Sequence, residues 1–157
     1  MILDETVLQR LAEWQPPGGR QTLNLPTAAG WSLALTADRH DELGSRVWEL
    51  TLQRSRAPAG AKVADWAQRV ADRATGLLEL LQVVEVDAPA GVALLRSQEA
   101  DRRGDRLSYY EVLLKYATEA SVRRYQALAD GGKREQVAFA LTNEALAKLV
   151  ADLTADN

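Results

Sequence analysis

Leu107-Ser108-Tyr109-Tyr110-Glu111-Val112-Leu113-Leu114-Lys115-Tyr116 is the stretch on which the reading of this 157-residue chain turns. Successive side chains of a strand point to opposite faces of its sheet. Ser108, Tyr110, Val112, Leu114 and Tyr116 therefore share one face, and all but the first are large and apolar or aromatic. Leu107, Tyr109, Glu111, Leu113 and Lys115 share the other face, which is mixed. A strand with one apolar and one mixed face suits a sheet that is covered on one side only, a common arrangement for antiparallel sheets.

The segments around it read the same way. Val92 to Ser97 is an expected strand, and Glu99 to Asp105 a charged turn. Thr118-Glu119-Ala120 turns the chain into Val122 to Leu128, and Asp130-Gly131-Gly132-Lys133 is a strong turn signal before a strand over Gln136 to Leu141. Val83, Val84 and Val86 form a β-branched run that ends near Asp87 and Pro89. Further upstream, Leu23 and Leu25 alternate before Pro26, Trp31, Leu33 and Leu35 alternate next, and Trp48, Leu50 and Leu52 alternate after the polar loop Asp38 to Ser45. Strands joined by such short connections pair as antiparallel neighbours.

Three helices are expected. Leu3, Val7, Leu11 and Trp14 have helical spacing within residues 2–14, and Pro16-Pro17-Gly18-Gly19 stops that helix. Val63, Trp66, Ala67, Val70, Ala74, Leu77, Leu78 and Leu81 lie on one stripe of a long helix that follows the break Ala57-Pro58-Ala59-Gly60. Thr142 or Asn143 caps the last helix, whose stripe is Leu146, Leu149, Val150 and Leu153. The expected order is α-β-β-β-α-β-β-β-β-β-α over residues 1–157. It describes one α+β domain, a meandering antiparallel sheet with amphipathic helices packed on one face.

Composition narrows the function. Hydrophobic residues make up 46% and charged residues 26%, near the globular average, so the chain is expected to fold. The absence of cysteine removes disulfides, thiolate metal sites and cysteine nucleophiles. The N-terminus has no basic region, and Asp4 and Glu5 fall where a signal peptide would turn apolar, so a cytoplasmic protein is expected. No apolar run approaches the roughly 20 residues of a membrane span. The 19 basic and 22 acidic residues are dispersed, without the cationic face that nucleic-acid binding draws on.

No catalytic motif appears, and no cofactor or metal is expected. His40, the only histidine, sits in Asp38-Arg39-His40-Asp41-Glu42 and reads as an exposed loop residue. A zinc site there would have to take its other ligands from Asp and Glu. No Gly-x-Ser-x-Gly elbow and no phosphate-binding glycine loop occurs. Trp31, Trp48 and Trp66 all fall on the apolar sides of their own elements and read as core. The candidate working surface is the mixed face of the sheet. Tyr109, Glu111 and Leu113 point there, and Leu94, Arg96 and Arg124 on the flanking strands are expected to join them, an aromatic, aliphatic and charged mixture of the kind found at protein interfaces.

The element order resembles the PsbP-like α/β/α sandwich, a class that includes DcrB-like proteins and the Eag-type chaperones of type VI secretion. The matching pieces are Leu25-Pro26, Trp48 to Arg54 before a Pro/Gly break, the helix from Val63, Gly91 to Arg96, Tyr109 to Leu114, and Phe139-Ala140-Leu141-Thr142 before the last helix. The resemblance covers residues 20–153, with the helix at 2–14 an addition. Type III secretion chaperones, which usually form dimers, are a second similar class. Both resemblances imply a non-enzymatic adaptor or chaperone-like domain that binds another protein or a second copy of itself. The rival expectation is a small-molecule binder or hydrolytic enzyme with a cleft between sheet and helix, using His40 or the Glu111/Arg124 region.

Overall fold

The computed structural model describes residues 3–156. Its elements are α1 (Glu5–Glu13), β1 (Gln21–Pro26), β2 (Ser32–His40), β3 (Gly44–Gln53), α2 (Val63–Arg73), β4 (Leu81–Asp87), β5 (Val92–Ser97), β6 (Asp101–Arg103), β7 (Arg106–Lys115), β8 (Glu119–Leu128), β9 (Glu135–Val137), β10 (Phe139–Thr142) and α3 (Asn143–Thr154). The expected α+β class holds: ten strands form one antiparallel sheet whose main path runs β1-β2-β3-β8-β7-β5-β4, with β10 paired to β3, β6 to β7 and β9 to β8. Two meanders meet where β3 lies beside β8, and α2 carries the chain from β3 to β4 at the far edge.

The alternation in β7 positions everything else. Tyr110, Val112 and Leu114 are buried, and across the ladders they meet Leu95, Ala93, Val122 and Ala120. Leu33, Leu35, Leu50 and Leu52 continue that apolar face through β2 and β3. The stripes of the helices close over it: Val7 and Leu11 from α1, Val63, Trp66, Ala67 and Val70 from α2, Leu146, Leu149, Val150 and Leu153 from α3. Burying each such large side chain contributes about 1.5–3 kcal/mol before entropy is counted. Asp4 caps α1 through the amides of Thr6 and Val7, and Thr142 caps α3 through the amide of Ala145. The expected first helix therefore begins later; residue 2 lies outside the described residues.

Several expectations are corrected. The helix expected to reach Leu81 ends at Arg73, where Thr75 and Gly76 have poor helical propensity. Leu77 is still buried, from a loop, and Leu81 is buried as the first residue of β4. Tyr116 is not on the apolar face; it follows the end of β7 at φ 57 and packs over Gly91. The charged turn after β5 contains the short strand β6. The strand expected over Gln136 to Leu141 is split at Ala138. β8 pairs with β3 at one end and β9 at the other, while β3 pairs with β8 and then β10, so β9 and β10 fill the wedge between diverging strands. Gly44 permits this, since a Cβ there would lie 2.5 Å from the Leu141 carbonyl oxygen.

Trp48 is also corrected. Thr36 faces Glu49 but Ala37 faces Val47, so Trp48 is an extra residue in β3; Arg39 then faces Arg46, so Asp38 is an extra residue in β2. The two bulges compensate, and each re-aims its side chain. Trp48 Nε1 donates to Asp38 Oδ2 at 2.8 Å, and Trp48 is half-buried beneath the Arg20 guanidinium rather than in the core. Trp31 and Trp66 are in the core, with ring centroids 5.6 Å apart.

Candidate functional site

The side of the sheet away from the helices brings five of the six expected site residues together. Strand register does this directly: Leu94 faces Leu113, and Arg96 faces Glu111. Tyr109 faces Tyr125, and Glu111 faces Arg123. Glu111 is the hub. Its Oε2 accepts from Arg96 Nε at 2.9 Å and from Arg134 Nη1 at 2.6 Å. Each arginine also lies over a ring, Arg96 over Tyr109 at 5.5 Å and Arg134 over Tyr125 at 3.8 Å. Arg134 Nη1 further donates to the Tyr109 hydroxyl at 3.3 Å. The Glu111 carboxylate and the Tyr109 hydroxyl raise the Arg134 pKa. Arg123 extends the network to Glu49 at 3.0 Å. Beside it lies the aliphatic pair Leu94 and Leu113.

Arg124 is not part of this face. Val122 points to the core, so Arg123 points outward and Arg124 inward. The Arg124 guanidinium lies 4.3 Å from the Tyr110 ring centroid and 3.0 Å from Glu79 Oε2. Burial pushes the Tyr110 phenol up, partly opposed by the Arg124 charge. Glu79 also accepts from Ser97 Oγ, whose oxygen in turn accepts from the Tyr110 amide. The expected Glu111/Arg124 grouping is therefore two separate ion-pair systems on opposite sides of the sheet. Arg123, Tyr125 and Arg134 are the members of the open face that sequence reasoning missed. The first two follow from the inward position of Val122; Arg134 reaches in from the turn before β9, which no periodicity announces.

His40 is half-buried, not an exposed loop residue. Its Nε2 lies 2.6 Å from the Leu11 carbonyl oxygen and its Nδ1 lies 2.6 Å from Ser45 Oγ. A carbonyl only accepts, so Nε2 donates to Leu11, and Nδ1 bonds the Ser45 hydroxyl. The ring packs at 4.8 Å from Trp14. Both nitrogens are thus engaged in fastening α1 to the β2–β3 hairpin, and the Ser45 hydroxyl belongs to a buried residue. Nearby, an open cleft of about 720 Å³ runs between Pro16-Pro17, the end of the hairpin and the Leu141–Thr142 junction. Its carboxylates are occupied. Asp38 is gripped by Arg46 at 2.7 Å and held down to about 2, and Asp41 accepts from the amides of Leu43 and Gly44, which lower its pKa.

Among the described residues, no group of three or more His, Asp or Glu side chains is placed to hold a metal ion. No helix among them is long and apolar enough to cross a membrane. No family model, no curated protein and no solved structure matches the chain.

Proposed function

We propose that the chain is a non-enzymatic protein-binding domain, adaptor-like or chaperone-like, and that the open face of the sheet is its binding surface. The observation that carries this reading is the cluster around Glu111. Strand register sets two tyrosine rings, Arg96 and a carboxylate beside Leu94 and Leu113, and Arg134 joins them from the turn before β9 through its bonds to Glu111 and Tyr109. Tyrosine and arginine are enriched among the residues that dominate binding energy at interfaces, and a tyrosine ring buries large area at low entropic cost. The PsbP-like resemblance, whose members are mostly binders and adaptors, supports the same class. The engagement of both His40 nitrogens in structural bonds supports it over hydrolysis.

Tyr109→Ala with Leu113→Ala tests the reading. Partners recovered from the native host by affinity purification and identified by mass spectrometry, or a self-associated species seen by light scattering, should be lost while circular dichroism stays native. Truncating two central anchors is expected to cost about 2–4 kcal/mol of binding. Association that survives the double substitution refutes the assignment of this face.

A further inference from the structure

The main path of the sheet ends in β1 on one side and β4 on the other, and these two edges are built differently. β1 ends in Pro26 and turns Thr22 and Asn24 to solvent. Proline and polar side chains are the ordinary guards of an edge strand. β4 pairs with β5 on one side, and no other strand among the described residues pairs with it. It carries neither proline nor lysine, and its guards are the bulge at Val84 and the acids Glu85 and Asp87. Among the described residues seven large hydrophobic side chains are exposed, and four of them fall between Leu78 and Val86: Leu78, Leu80, Val84 and Val86.

Leu78 is the sharpest anomaly. It sits at φ 62, a left-handed conformation that glycine or asparagine adopts far more readily, and its side chain is 96% exposed. Strain and apolar exposure thus coincide at one residue. The residues that flank Leu78 are tied into the fold. Leu77 is buried on one side, Glu79 is tied to Arg124 and Ser97 on the other, and the Leu80 carbonyl accepts from the Gln98 amide at 2.6 Å.

We propose that the β4 edge, with Leu78 and Leu80 at its head, is a docking site for an extended segment of another protein in which basic residues alternate with apolar ones. A strand edge offers a row of backbone donors and acceptors, and only an extended backbone answers it. Val84 and Val86 supply apolar footing beside that row. The charged residues between Ala74 and Leu95 are Glu79, which is taken by Arg124, and the exposed acids Glu85 and Asp87 on β4 itself. A second copy pairing through the same strand would therefore bring acid to acid. The bulge at Val84 also bends the edge away from a flat, rigid partner edge while a flexible segment follows it. The acids favour a basic segment and the bulge a flexible one, and both disfavour self-pairing. This site is separate from the Glu111 cluster: Tyr109 and Leu113 lie on β7, beyond β5.

The test uses the ¹⁵N-labelled full chain and a short blocked peptide alternating lysine and valine, with a glutamate–valine peptide as control. The lysine peptide should shift the amides of Gln82 to Val86 and slow their exchange; the glutamate peptide should not. Leu78→Gly, which suits the left-handed backbone and so leaves the fold intact, should weaken the lysine peptide roughly tenfold, the loss of one apolar anchor. Val84→Lys should weaken it further by charge and by loss of footing. Tyr109→Ala with Leu113→Ala should leave peptide binding unchanged, which separates this site from the open face. Four outcomes overturn the proposal: no shift with the lysine peptide, equal shifts with the glutamate peptide, full binding by Leu78→Gly, or a dimer in light scattering that Val84→Lys dissolves.

Discussion

Arg124→Leu is expected to be among the more costly single changes outside the apolar core. The Arg124 side chain is 12% exposed and its partner Glu79 20% exposed, at 3.0 Å. Two unit charges at that separation attract by about 5 kcal/mol at an effective dielectric near 20, and desolvating both groups offsets most of it. The guanidinium also stacks on Tyr110, a contact of about 1 kcal/mol. Leucine removes both and leaves Glu79 partly buried with only Ser97 Oγ as its donor. The expected loss is about 2–3 kcal/mol, less than for a fully buried pair because both groups still touch water. With a urea slope of about 2 kcal/mol per molar, the unfolding midpoint should fall by roughly 1–1.5 M. Arg124→Leu combined with Glu79→Gln keeps the Ser97 bond but removes the orphaned charge, and should recover about half of the loss. If the single substitution shifts the midpoint by less than about 0.3 M, or if the double mutant equals the sum of the two singles, the pair does not act as a desolvated unit.

The Arg46 guanidinium and the Trp48 indole hold Asp38 down to about 2 from an ordinary 3.8. A depressed carboxyl stabilises the fold above its unfolded value, and that contribution fades as pH falls from near 4 through about 2. Asp38→Asn should therefore flatten the acid limb of the stability–pH curve in that window; an unchanged limb rules the interaction out as a stability term. His40→Ala strips the Leu11 carbonyl and the Ser45 hydroxyl of their partner, at an expected cost of about 2 kcal/mol. The loss should appear first as faster amide exchange in α1, and uniform loss across the fold would contradict the fastening role.

The apolar alternation in β7 and the flanking strands made the sheet and its covered face legible, because a period of two has only one reading once one side is apolar. What period could not reveal was where it breaks. The stripe from Val63 through Leu77 to Leu81 fits a helix, yet a buried loop residue and the first residue of a strand satisfy the same spacing by accident. Trp48 looked inward by counting from Leu50, and the paired bulges at Trp48 and Asp38 reverse it; an inserted residue leaves no mark on composition. Arg124 turns inward because Val122, two residues before it, does, and that alternation is present in the sequence. His40 sits near polar neighbours in sequence, but its partners come from α1 and from across the hairpin, and such long-range pairings are invisible to local pattern.

The open face and the β4 edge differ in how much of their bonding is already satisfied, and that difference governs how each would bind. Glu111 already holds Arg96 and Arg134, so a partner on the open face gains little by competing for those charges. Its affinity there has to come from the tyrosine rings and the Leu94/Leu113 pair, with the arginines steering approach, so salt should slow association more than it speeds release. Along β4, bonding groups and apolar side chains both face solvent, and each backbone bond formed with a partner adds only about 0.5–1.5 kcal/mol net. Several bonds in register, plus anchoring at Leu78, are needed for useful affinity. The two surfaces also adjoin, because Glu85 of β4 faces Leu94 of β5. A segment added to β4 extends the open face by one strand and sets its outward basic side chains beside Glu85. A short peptide stops there, about three strand spacings of roughly 5 Å from Tyr109. A folded partner that inserts such a segment spans both surfaces, so its affinity should fall with either Leu78→Gly or the Tyr109 and Leu113 double substitution, whereas the peptide responds to the first alone.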